Sequence, residues 1–152
     1  MLSCCFTGHR AMTTAEQKQL LPILDEKVLD AMNQGVTIFR NGGALGFDTF
    51  SALHILGLRK KYPTIKLMID APHRQQSAYW KDTDKDVYDY ILRCADGVTY
   101  VSEHYTSQCM QKRNRFMVDH SDMVIAYVRT ARGGSYYTAC YAESLGKKVV
   151  YL

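Results

Sequence analysis

The sequence predicts a three-layer α/β fold: a mostly parallel sheet with helices on both faces. Two observations carry that prediction. Short apolar runs alternate along the chain with stretches whose apolar residues recur at helical spacing. That alternation is the pattern of a parallel sheet covered on both sides. The length of 152 residues adds the expectation of a single domain over 1–152, large enough to bury a full core.

In chain order, residues 2–7 read as the first strand, ending in "TGHR". "TTAE" at 13–16 matches a capping box, in which a threonine hydroxyl and a glutamate side chain cap backbone amides reciprocally. The helix that follows runs to about Asn33, with Leu21, Leu24, Val28 and Met32 on one face and Gly35 ending it. Pro22 inside it predicts a kink or a late start. "VTIF" is the second strand, followed directly by the turn "GGALGFD". Phe50, Leu53 and Leu56 mark a helix over 47–61, closed by Pro63, and "IKLMIDAP" is the third strand. Residues 81–94 form a polar helix with Val87, Tyr90, Ile91 and Cys94 inward, and "GVTYV" is the fourth strand. A helix over 109–120, the strand "DMVIAYV", a glycine-started helix over 133–146 and the strand "KKVVYL" complete the chain. Right-handed crossovers between such units make a Rossmann-like, doubly wound sheet the expected architecture.

Composition narrows the class. An apolar fraction of 47% with 22% charged residues is that of an ordinary soluble protein. No run approaches the roughly 20 apolar residues of a membrane span. "MLSCCFTGHR" lacks the features of a signal peptide, so a cytoplasmic location with no membrane partner is expected. The five cysteines form no CxxC and no Cys/His pair at zinc-like spacing, and read as reduced thiols. No His-x-x-x-His occurs either, so neither a metal nor a cofactor is expected. The net charge of +4 mildly favours anionic ligands but is too small to declare nucleic-acid binding.

In a parallel sheet, ligands bind beyond the carboxyl ends of the strands. Three glycine turns are expected on that rim. The first holds Gly8, His9 and Arg10; the second holds Gly42, Gly43, Ala44, Gly46 and Asp48; the third holds Gly133, Gly134 and Ser135 beside Arg129 and Arg132. Glycines there could serve only tight strand-to-helix turns. Convergence on one rim, with two turns flanked by arginine, favours an anion nest for a phosphate or an anionic ribose unit. The dinucleotide pattern G-x-G-x-x-G is absent from the first turn, and so is the P-loop G-x-x-x-x-G-K-[ST]. Asp48 either accepts bonds from sugar hydroxyls or bonds back to loop amides as a cap. His9 is the best-placed acid or base, with plain hydrogen bonding the simpler role. Trp80, the only tryptophan, is a candidate for stacking on a base, with a lid or a dimer contact as alternatives. Arg113 and Arg115 are expected to point their guanidiniums outward from a helix whose buried side carries Met117 and Val118.

The ordered set "TGHR", "GGALGFD", "APHRQQSAYW", "QKRNRFMVDHSDMVIAY" and "GGSYYTACYA" resembles the SLOG superfamily, and within it the YpsA-like proteins, over essentially the whole chain. The resemblance implies a Rossmann-like fold with a nucleotide or nucleotide-derived ligand at the strand-end rim. It nominates Gly8, Arg10, Gly42, Gly43, Gly46 and Asp48, then Gln76 and Trp80, Arg113 and Asn114, and finally Gly133, Gly134 and Ser135. Relatives include the Lonely-guy phosphoribohydrolases, which cleave the glycosidic bond of nucleoside monophosphates, and DNA-processing proteins that bind single strands. The phosphoribohydrolase pattern P-G-G-x-G-T-x-x-E is not kept: "RGGSYYTACYAE" lacks the second G-T, and Glu143 falls on a different helix face. Three functions are therefore expected in order: binding of a nucleotide-like ligand, N-glycosidic hydrolysis using Asp48 with Glu143 or Asp119, and single-stranded DNA binding. A homo-oligomer is an expectation of the resemblance alone.

Overall fold

The computed structural model describes residues 2–152. Its elements are β1 Leu2–Gly8, α1 Thr14–Asn33, β2 Val36–Asn41, α2 Phe47–Lys61, β3 Lys66–Ala71, α3 Asp82–Cys94, β4 Gly97–Tyr100, α4 Cys109–Asp119, β5 Met123–Tyr127, α5 Gly134–Ser144 and β6 Lys148–Tyr151. The six strands form one sheet in the order β4-β3-β2-β1-β5-β6. Every pairing is parallel. The sequence expectation of a mostly parallel sheet is met in its strictest form.

Alternation along the central strands sends neighbouring residues to opposite layers. Cys4, Phe6 and Ile125 join the core with Leu24 and Val28 of α1, Ile55 of α2 and Ile91 of α3. Cys5, Val124 and Ala126 face Met117 and Val118 of α4 and Ala139 and Ala142 of α5. The chain builds outward from β1 to β4, then returns to place β5 on the other side of β1. That reversal makes the crevice beyond the ends of β1 and β5 the topological switch point.

Several details differ from the pattern reading. Leu21, Leu53 and Tyr90 are each more than 40% exposed, while Leu20 and Tyr88 are buried. The helical stripes are thus rotated by one or two positions, a shift that periodicity cannot resolve when apolar residues are adjacent, as Leu20 and Leu21 are. α1 starts at Thr14 and runs through Pro22, so the late start does not occur. Pro22 is exposed, which leaves the carbonyl it cannot bond, that of Lys18, on the wet side of the helix. The capping box forms by half. Thr13 Oγ1 accepts the Glu16 amide at 3.1 Å. The Glu16 carboxylate turns away to accept from Tyr127 Oη at 3.0 Å and to pair with Arg129 Nη1 at 3.0 Å.

Candidate functional site

Because all strands are parallel, the loops after β1, β2, β3 and β5 meet at one end of the sheet. The first two are locked together. The Phe47 amide donates to His9 O at 2.9 Å. Gly46 has φ +78°, and a Cβ there would overlap the carbonyl of Arg10. A Cβ on Gly8 would overlap the Phe47 ring. Glycine at 8 and 46 is therefore what lets the two turns touch.

The turn after β2 uses its own amides. Asn41 is fully buried at the end of β2; its Oδ1 accepts the Gly43 amide at 2.8 Å, and its Nδ2 donates to Asp48 O and Ser51 Oγ. Asp48 Oδ2 accepts the Ala44 amide at 3.1 Å. Of the two roles open to Asp48, bonding back to the loop is the one observed. The expected nest is corrected accordingly: the Gly43 and Ala44 amides point inward, because Asn41 and Asp48 supply the acceptors. Burial raises the Asp48 pKa; the neighbouring Arg113, the Ala44 amide and Arg10 oppose that rise.

Arg113 is also corrected. It is only 2% exposed, on a stripe with Cys109 and Met117 at successive i+4 positions. Its Nη1 donates to Gly42 O at 2.5 Å and to Asp70 O at 3.2 Å, and its Nε to Asn114 Oδ1 at 2.9 Å. The guanidinium thus ties together the ends of β2 and β3. A Cβ on Gly42 would lie 2.5 Å from Arg113 Nη1 and 2.8 Å from Asp48 Oδ2, so only glycine leaves room for the cation and the carboxylate. Asp70, fully buried nearby, takes both its carboxylate bonds from Arg40 Nη1 at 3.1 Å.

Next to this cluster lies a cavity of about 60 Å³ lined by Arg10, Ala44, Leu45, Gln76, Trp80 and Met110. Gln76 Nε2 donates to Gly42 O and Tyr88 Oη, both at 3.2 Å, while Oε1 is buried without a partner. Trp80 meets Tyr88 edge to face at 5.2 Å. Met110 and Tyr88 were not singled out by the sequence. Their signal was the helical phase, which places Tyr88 inward where Tyr90 was expected.

On the other side of Arg113 begins α5. Gly133 has φ +93°, and Asn114 Nδ2 lies 4.0 Å from where a Cβ on Gly134 would sit. The amides of Gly134, Ser135 and Tyr136 find no acceptor among the described residues, no side chain caps the helix, and its first turn has no acid. His9 reaches this loop: its Nε2 accepts the Arg129 amide at 2.8 Å. That lone pair is committed, so hydrogen bonding is the role seen for His9. Burial and the nearby Arg129 lower its pKa, with Glu16 opposing.

The model of the YspA SLOG family matches residues 4–149. The chain belongs to this family. It is 30% identical over 137 residues to the SPbeta prophage-derived protein YoqJ of Bacillus subtilis (strain 168), covering 79% of this chain and 80% of that protein. A UPF0398 protein of Bacillus cereus (strain B4264) is 25% identical over 114 residues, which span 74% of this chain and 62% of the relative. DNA processing protein A of Streptococcus pneumoniae shares the fold, with a TM-score of 0.68 at 20% identity; the match covers 99% of this chain and 50% of that one. The Helicobacter pylori protein of the same name, described for its single-stranded DNA binding mode, matches with a TM-score of 0.67 at 19% identity over 99% of this chain and 64% of its own. Among the described residues no helix is long and apolar enough to cross a membrane.

Within this SLOG chain the three carboxylates named for hydrolysis are dispersed. Asp48 is buried at the rim. Glu143 lies in the last turn of α5, nine positions beyond Gly134, or about 13 Å along the axis at about 1.5 Å per residue. It accepts from Tyr151 Oη. Asp119, at the far end of α4, accepts from Tyr141 Oη at 2.6 Å. The residues brought close to one another are Arg10, Gly42, Ala44, Asp48, Gln76, Trp80 and Arg113, with Asn114 bridging toward Gly134.

Proposed function

We propose that this rim binds a nucleotide or nucleotide-derived ligand, with its phosphate on the first turn of α5. The observation that carries this reading is the contrast between two glycine turns. The β2–α2 turn has two of its amides bonded to Asn41 and Asp48. The α5 start keeps three amides open, beside Arg129 and Arg132. Open amides and the positive end of a helix are the elements of a phosphate site. A hydrolytic function has less support, since Asp48 and Glu143 do not share a site.

Replacing Gly134 with proline tests the proposal with little other disturbance. Proline is favoured at the first helical position, where it removes one N–H and keeps the helix. Titration calorimetry with mono-, di-, cyclic and ADP-ribosyl nucleotides should detect binding in the parent protein. Loss of one charge-assisted bond, about 1.5–3 kcal/mol, predicts affinity reduced roughly 10- to 150-fold in the variant. No binding by folded parent protein, or an unchanged affinity in Gly134→Pro, would refute the assignment.

A second reading, binding of single-stranded nucleic acid, draws on exposed Tyr79 and Tyr105 in the segments after β3 and β4, on exposed Tyr137 near the start of α5, and on the shared fold with DNA processing protein A. It predicts oligonucleotide affinity that falls steeply with salt. Salt-insensitive or absent binding would remove it.

A further inference from the structure

We propose that the cavity beside Trp80 takes the edge of a nucleobase carrying an exocyclic amino group, and that Gln76 Oε1 accepts a hydrogen bond from that group. This rests on the nucleotide reading and specifies which nucleotides satisfy it.

Gln76 is 8% exposed, yet its carbonyl oxygen has no partner among the described residues. Its orientation is fixed by chemistry. Flipping the amide would set its oxygen against the carbonyl of Gly42, which only a donor can satisfy. Nε2 therefore faces Gly42 and Tyr88, and Oε1 is left as a buried, unpartnered acceptor on a side chain that lines a cavity whose other walls include Ala44, Leu45, Trp80 and Met110. Buried acceptors are nearly always bonded, and an orphan at a site calls for an occupant.

The walls select among occupants. A ribose brings several hydroxyls, and the apolar sides offer them no matching partners. A planar ring with one donor at its edge fits better, with Trp80 beside it as an aromatic surface. Arg10, the one charged wall, can only donate, so it cannot receive the amino group. It can instead meet a ring nitrogen acceptor. Adenine and cytosine carry an amino group next to such a nitrogen; hypoxanthine and uracil replace the amino group with a carbonyl, which would face Gln76 Oε1 lone pair to lone pair. The cavity is small, about 60 Å³. It accommodates a ring edge rather than a whole base, so the rest of the ring lies at the mouth.

The test compares AMP with IMP and CMP with UMP by titration calorimetry on the full chain and on Gln76→Met, which keeps length but offers no acceptor. The amino member of at least one pair should bind ten-fold or more tightly than its oxo partner, and Gln76→Met should abolish that difference. Equal affinity within both pairs would overturn this inference while leaving nucleotide binding intact. A preference that survives in folded Gln76→Met would overturn the assignment to Gln76. Failure of all four nucleotides to bind would remove this inference, and persistence of binding to other nucleotides would show that the broader reading stands without it. The ligand comparison in the parent protein decides the amino-group preference even if the variant does not fold.

Discussion

Truncating Arg113 would take the guanidinium donor from the carbonyl of Asp70 and leave the carbonyl of Gly42 with Gln76 Nε2 alone, in a region closed to water. It would also take away the cation that opposes the desolvation of Asp48. Removing one member of a buried charged cluster typically costs about 3–5 kcal/mol. Arg113→Met should therefore lower the urea midpoint by that equivalent, whereas exposed Arg115→Met should change it little; similar effects at both positions would contradict the account. His9 supplies a second prediction. Its folded pKa lies below the ordinary 6.5. As pH falls from 6.5 toward the depressed folded value, the unfolded chain takes up a proton that the folded one resists, so stability is lost across that window. His54, lowered by burial against the pull of Asp25, adds in the same direction. Denaturation at pH 7.5 and 5.0 should show a smaller loss in His9→Gln than in the parent. The sequence concealed Arg113 because neighbouring Lys112 and Arg115 give it the look of a solvated face. Its burial was legible only in the spacing from Cys109 to Met117. Asn41 gave no signal of its own: a polar residue at a strand end does not disclose which amides it will take.

Strands and helices were far more legible than side-chain roles. Every strand fell where a short apolar run stood, and α2 ran from Phe47 to Lys61 as its pattern predicted. Periodicity fixes the existence of a helix well but its rotation poorly when apolar residues adjoin, hence Leu20 for Leu21 and Tyr88 for Tyr90. The glycines at the element junctions behave differently from one another in ways only contacts reveal. Gly46 and Gly133 both have positive φ, but Gly46 abuts the Arg10 backbone and Gly133 has nothing within 4 Å. Gly133→Ala should cost about 1–3 kcal/mol from backbone strain alone, because φ +93° with ψ 175° is a conformation essentially confined to glycine. Gly46→Ala adds a clash with backbone, so its loss in thermal denaturation should be clearly larger. Equal losses would mean that the contact between the first two turns contributes little.

For the molecule as a whole, the parallel sheet gathers every strand's carboxyl end at one rim, so a ligand there touches loops from both sides of the switch point. Binding only to the folded state at a hundred times its dissociation constant adds about 2.7 kcal/mol to stability. At roughly 2–4 °C per kcal/mol for a chain of this size, the melting temperature should rise by roughly 5–10 °C with a nucleotide that fits. Gly134→Pro should blunt that rise at equal ligand concentration.

The β2–α2 turn spends two of its amides on Asn41 and Asp48 and is clasped by the loop before α1. It works as a joint of the scaffold. On the proposed nucleotide reading, preference for one small molecule over another can then be altered at the α5 start without loosening that joint, whereas Gln76, which donates to Gly42 O, is tied to it. A protein arranged in this way can change its diet while keeping its skeleton.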